Sequence, residues 1–175
     1  MVLAALLLMA ACGSSGGPAL PIPSDGEWQL FEGTWNAAGT RRTLRLGPED
    51  RAAIFELTGS ILLTGAQRPA LGFRAQAIGF SDSGAGMQGR CVWTDERGEM
   101  VYSEMKGEAV GSGKHIVGTF IGGTGRYAGM TGDYSFQWQY VVDAEDGEVS
   151  GRAVDLKGRA RFGNAATALG GGPDR

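Results

Sequence analysis

The chain is poor in the residues on which most enzyme chemistry rests. It has one histidine, His115, and two cysteines, Cys12 and Cys91, among 175 residues. A lone imidazole rules out a histidine-rich metal site, and its place beside a turn on an outward-facing position rules out a histidine-dependent triad. No metal site and no cofactor are expected. Charge of one sign is missing too. The 16 basic and 19 acidic side chains are spread along the chain to a net charge of -3, with no block that would mark a nucleic-acid partner. From Glu27 onward no long helical period occurs, which points to an all-β chain.

What the first residues do contain is an uncharged apolar run, 1–11, ending in small side chains directly before Cys12. It is too short to cross a bilayer and fits the core of a signal peptide. Leu8-Met9-Ala10-Ala11-Cys12 resembles the bacterial lipobox, with Met9 where leucine is usual. The resemblance implies that Cys12 is the lipid attachment site and the first residue of the mature, membrane-anchored protein. Residues 12–27 then form a tether, kept extended by Pro18, Pro21 and Pro23 and able to reach about 50 Å. Gly13 rather than aspartate follows the cysteine. In similar lipoproteins this implies the periplasmic side of the outer membrane, where the organism has two membranes. With Cys12 lipidated, Cys91 has no disulfide partner and reads as a small buried hydrophobe, or else as a reactive thiol.

Residues 28–162 read as a single β-domain in which runs rich in Val, Ile, Phe, Tyr, Trp and Thr are separated by glycine-bearing turns. The candidate strands are 28–36, 40–46, 53–64, 71–80, 87–94, 100–110, 115–121, 134–142 and 149–162, spaced as in a closed barrel or a sandwich. Register follows from matching apolar faces. A three-residue loop ending at Gly98 pairs Asp95 with Glu99, Trp93 with Val101, Cys91 with Ser103 and, on the other face, Arg90 with Glu104. The same treatment of Glu145-Asp146-Gly147 sets Trp138 against Val154, Phe136 against Leu156 and Tyr134 against Gly158. A loop at Ser112-Gly113 pairs Val110 with His115 and Met105 with Phe120. The hairpins agree on an inner face of Cys91, Trp93, Val101, Ser103, Met105, Ile116, Phe120, Tyr134, Phe136, Trp138, Val154, Leu156 and Phe162. Residues 53–64 are apolar on both faces, which predicts that part of the outer wall is covered by a second subunit or by the N-terminal segment. Residues 163–175, rich in Gly and Ala, read as a flexible tail.

The glycine-rich stretch from Gly118 to Gly132 invites comparison with a phosphate loop. Such a loop needs a helix N-terminus behind it, whereas 134–142 alternates with period two, and no Lys-Ser/Thr follows the glycines. The glycines are therefore read as bending the sheet at a barrel rim. Gly122-Gly123-Thr124-Gly125-Arg126-Tyr127-Ala128-Gly129-Met130-Thr131-Gly132 resembles the signature of allene-oxide-cyclase-like and dirigent-like proteins. Glu32-Gly33-Thr34-Trp35 and Trp93-Thr94-Asp95-Glu96-Arg97-Gly98 are similar to segments of their bacterial relatives. The resemblance implies a closed, calycin-like antiparallel barrel of about eight strands, often trimeric, with an apolar cavity. Its enzymatic members cyclise a fatty-acid epoxide and its dirigent members steer radical coupling. No residue here matches those roles by motif, so catalytic residues stay unassigned.

Ligand-binding candidates are Arg126 and Tyr127 at a barrel mouth, and Ser103, Tyr134, Trp138 and Tyr140 along the interior. The reading preferred over these is a filled or nearly filled core, with Tyr127 packed and Arg126 in solvent. Asp95, Glu96 and Glu99 read as acids of a hairpin tip. The expected function is that of an envelope lipoprotein whose barrel binds a small apolar ligand or a protein partner without catalysis. The alternatives are an isomerase or cyclase acting on a lipophilic substrate, and a structural oligomeric envelope protein.

Overall fold

The computed structural model describes residues 26–109 and 113–163. The expected signal peptide, Cys12 and most of the tether lie outside the described residues. So do Val110, Ser112 and the tail beyond 163. The described chain forms eight strands: β1 (Gln29–Arg45), β2 (Arg51–Thr64), β3 (Gly72–Asp82), β4 (Gly86–Thr94), β5 (Met100–Gly107), β6 (Lys114–Gly123), β7 (Thr131–Asp143) and β8 (Glu148–Arg161). Each pairs antiparallel with its neighbour in sequence, and β1 also pairs with β8, closing the barrel.

The candidate strands 28–36 and 40–46 are one strand, β1, which runs through Ala37-Ala38-Gly39 without a break. Gly39 is laddered to Leu57 on one side and Val149 on the other. Two-sided pairing overrides the weak strand preference of those small residues. The β4–β5 register is the expected one, with Trp93 opposite Val101, Cys91 opposite Ser103 and Arg90 opposite Glu104. At β5–β6 the pairing differs from expectation by two residues: Met105 faces Gly118, and Phe120 faces Ser103. The connection is longer than the short loop assumed, and a slip of two leaves every side chain on its face.

The last hairpin is correct at Tyr134 and Gly158 but not between. Bulges near Val141 and at Asp155–Leu156 shift the middle by one, so Trp138 faces Ala153 and Gln137 faces Val154. Ala153 therefore enters the core in place of Val154. Asp155 carries the bulge in a left-handed conformation, φ 53, the single non-glycine with positive φ among the described residues.

The interior is a continuous apolar cluster. Trp93, Phe120 and Tyr134 pack with ring centroids 4.9–5.2 Å apart. Trp35 packs on Phe136 and Trp138 at 6.0 and 5.5 Å. Each such side chain removed from water contributes roughly 1.5–3 kcal/mol. Tyr134 fits because Gly118 lies beneath its ring, where a Cβ would run into the aromatic atoms. With aromatic residues inside and Arg90, Lys106, Arg152 and Lys157 outside, the wall is inverted relative to an outer-membrane barrel, whose lumen is polar.

Candidate functional site

The sequence-derived candidates fall into separate places, and the rim is the first. The connection from β6 to β7 makes one 3-10 turn, Gly125–Tyr127, and folds over the barrel end. It is stitched to β5 by backbone and side-chain bonds between Thr124 and Met100, both 2.8 Å. Gly125 has φ 53 and faces Glu99 so closely that a Cβ would overlap that side chain. Tyr127 is fully buried against Phe73, 5.8 Å between centroids, so it plugs the rim instead of facing a ligand.

Asp95 anchors this plug. Its side chain is wholly buried and accepts from the backbone N–H groups of Arg97 and Glu99 at 2.8 and 2.9 Å. It also accepts from Arg126 at 2.5 Å and from the Tyr127 hydroxyl at 3.1 Å. Burial alone would push its pKa up, but these donors outweigh it and hold the carboxyl below its ordinary value. Arg126 lies 3.6 Å from Glu96 and 3.4 Å from Glu99 as well, and its guanidinium stacks on Tyr127 at 4.9 Å. It is therefore ion-paired, though 31% of its side chain remains exposed. Burial raises the Tyr127 pKa, so the phenol stays a neutral donor.

Sequence reasoning places Asp95 at a hairpin tip but misses this role. The available signal is its position two residues before Arg97 and four before Glu99, where an aspartate side chain caps the turn's own N–H groups.

The interior candidates form a second group. Ser103 and Tyr134, both buried, are hydrogen-bonded at 2.8 Å, and Ser103 also donates to the Cys91 carbonyl at 3.4 Å. Burial raises the Tyr134 pKa and pushes the Cys91 thiol up to about 12, which leaves it protonated and unreactive. Trp138 is buried beside the half-buried Tyr140, their rings edge-on at 5.9 Å. Arg41 covers Tyr140 at 5.3 Å and is ion-paired with Asp143 at 2.5 Å. The space left among these side chains amounts to cavities of ≈ 20 and ≈ 10 Å³. Ligand sites usually measure about 300–1,000 Å³, so the barrel is filled.

Ligand-sized concavities lie on the outer wall instead. One, of ≈ 640 Å³, crosses β1 to β4 and is walled by Ile54, Ile78 and Phe80 with Arg42, Gln88 and Arg90 around them. These apolar side chains are 52%, 59% and 47% exposed, which marks them as a patch and not as core. They stand side by side because Ile54 pairs with Phe80 and Glu56 with Ile78 on adjacent strands. A second groove of ≈ 600 Å³ lies over the β8 bulge and is mostly polar, with Glu32, His115, Ser135, Asp155 and Lys157. Among the described residues no group of three His, Cys, Asp or Glu side chains is placed to hold a metal ion. Comparison of the chain with family models, curated proteins and solved structures finds no match.

Proposed function

We propose that this protein is a cell-envelope lipoprotein, anchored through Cys12, whose barrel is a non-catalytic binding module with its binding surface on the outer wall. The observation that carries this reading is the contrast between a filled interior and an apolar groove of ≈ 640 Å³ outside. That volume suits a small apolar ligand or an apolar side-chain cluster of a protein partner, with Arg42, Gln88 and Arg90 supplying orientation at its edges. The anchor reading rests on the lipobox-like run before Cys12, and placement on the periplasmic side of the outer membrane rests on Gly13.

An isomerase or cyclase needs a void that holds its substrate against an inward hydroxyl. The Tyr134 and Ser103 hydroxyls are bonded to each other with no such void beside them, so the geometry supports binding over catalysis. The exposed Ile54 and Leu62 on β2 favour one further reading, association of the barrel with copies of itself.

Native mass spectrometry of the protein after gentle extraction tests the proposal. A small molecule or partner should accompany the wild type and be lost from Ile78→Asp; a bare monomer in both preparations would overturn it. Radiolabelled fatty acid should enter the wild type and not Cys12→Ala.

A further inference from the structure

Of the four tryptophans, Trp35, Trp93 and Trp138 are buried inside the barrel, and Trp28 is not. It stands on the outer wall immediately before β1 and is 38% exposed. Two arginines of β8 hold its ring, with the guanidinium of Arg159 4.7 Å and that of Arg161 5.1 Å from the ring centroid. Leu30, next on the same face, is 61% exposed and lies opposite Arg159 in the sheet. Leu71, also exposed, stands at the same end of the barrel, before β3. None of these side chains lines either of the outer-wall grooves.

An indole settles at the headgroup level of a bilayer, where its apolar body and its N–H are both satisfied. A guanidinium offers paired donors to phosphate oxygens, and basic side chains gather at leaflets that carry anionic lipid. Two further observations favour a lipid surface as the occupant of this rim. The segment that joins Cys12 to the barrel enters at Gly26, beside Trp28, so an anchor at Cys12 draws on this end of the molecule. The second is charge. At this end the acids of the β4–β5 side, Asp95, Glu96 and Glu99, are engaged by Arg126, and Asp133 is paired with Arg159 at 2.9 Å. Glu32 stands opposite Lys157 on the β1–β8 ladder. The opposite end exposes aliphatic side chains too, Leu44 and Val141 among them, but its turns carry the exposed Glu49, Asp50, Glu145 and Asp146, which an anionic leaflet repels.

We propose that the β1–β8 side of this rim docks on the membrane surface, with Trp28 and Leu30 in the interface and Arg159 and Arg161 on anionic phosphates. The orientation rests on the anchor reading and adds to it: the domain lies against the leaflet and does not swing at the end of its tether. With this rim down, the β1–β4 groove, which lies toward the opposite end, stays clear of lipid.

The test supplies the anchor chemically. The proposed mature chain, residues 12–175, is coupled through the Cys12 thiol to a maleimide phospholipid, the buried Cys91 being unreactive, and bound to phosphatidylcholine vesicles with or without phosphatidylglycerol. Bromine on the acyl chains quenches indoles at the interface, and of the four only Trp28 is outside the barrel. In anionic vesicles brominated lipid should remove about half of the Trp28 emission, the part of the signal that Trp28→Phe lacks. Arg161→Gln, or omission of phosphatidylglycerol, should weaken the quenching. Wild-type emission that is equal in brominated and ordinary vesicles would overturn the proposal, and that comparison needs no variant. A Trp28 emission that changes only with protein density on the vesicle would overturn it in favour of a second copy of the chain. Quenching as strong without phosphatidylglycerol would overturn the role of the arginines. None of these results depends on acylation in the cell, which the radiolabelled fatty acid decides separately.

Discussion

Asp95 is the residue on which most of the rim depends, because one carboxylate closes the β4–β5 turn and holds the β6–β7 connection over the barrel end. Asp95→Ala is expected to cost about 2–4 kcal/mol, since it strands buried donors together with a paired arginine, and urea unfolding measures this. Its folded pKa is depressed, so its stabilisation is fully present above the unfolded value near 3.8 and is lost as pH falls through the lower folded value. Asp95→Asn should flatten the acid limb of a stability–pH profile while lowering the neutral plateau. Tyr134→Phe leaves the Ser103 hydroxyl with one partner fewer in the core and should cost about 1–2 kcal/mol by the same measurement. Cys91 makes a chemical prediction of its own. In Cys12→Ala the native protein should be silent to a thiol reagent at pH 8, and one thiol should react on unfolding; reaction in the native state would contradict the buried, protonated thiol.

At the scale of elements, side-chain facing is legible in the sequence and backbone irregularity is not. The β4–β5 hairpin reads correctly because its turn chemistry and its apolar pairs select the same register. The β5–β6 pairing comes out two residues away because a period-two pattern is blind to a shift of two, and the inner face survives the error. At β8 the failure is of another kind. A bulge at Asp155 changes the facing of Ala153 and Val154, and alternation carries no trace of it beyond aspartate's tolerance of a left-handed conformation. The candidate site is legible in part. Tyr127 and Arg126 do lie at a mouth, but the pattern cannot show that Asp95, on another hairpin, binds both. The connection itself is constrained at Gly125, where positive φ and the approach of Glu99 leave no room for a side chain. Gly125→Ala should cost about 1–3 kcal/mol and raise hydrogen exchange across 122–132, whereas Gly47→Ala, between β1 and β2 with only ordinary contact to Asp50 and no positive φ, should leave that exchange unchanged.

At the scale of the molecule, a filled barrel leaves the outer wall as the surface that the proposed binding would use. Because Ile78 is 59% exposed, Ile78→Asp should change stability by no more than about 0.5 kcal/mol while removing whatever occupies the β1–β4 groove. If that groove instead mates with a second copy of the chain, light scattering should report a smaller species for the variant than for the wild type. Closure has a further consequence, and it concerns time. Seven of the strand pairings join neighbours in sequence, but β1 must wait for β8, with Gln29 finding Ala160 only after nearly all the domain has been made. Until then the sheet has two open edges, each offering unpaired N–H and C=O groups to any other chain. The chain would spend that interval as an unclosed ribbon, so the slowest folding step and the greatest risk of aggregation should coincide at the β1–β8 seam.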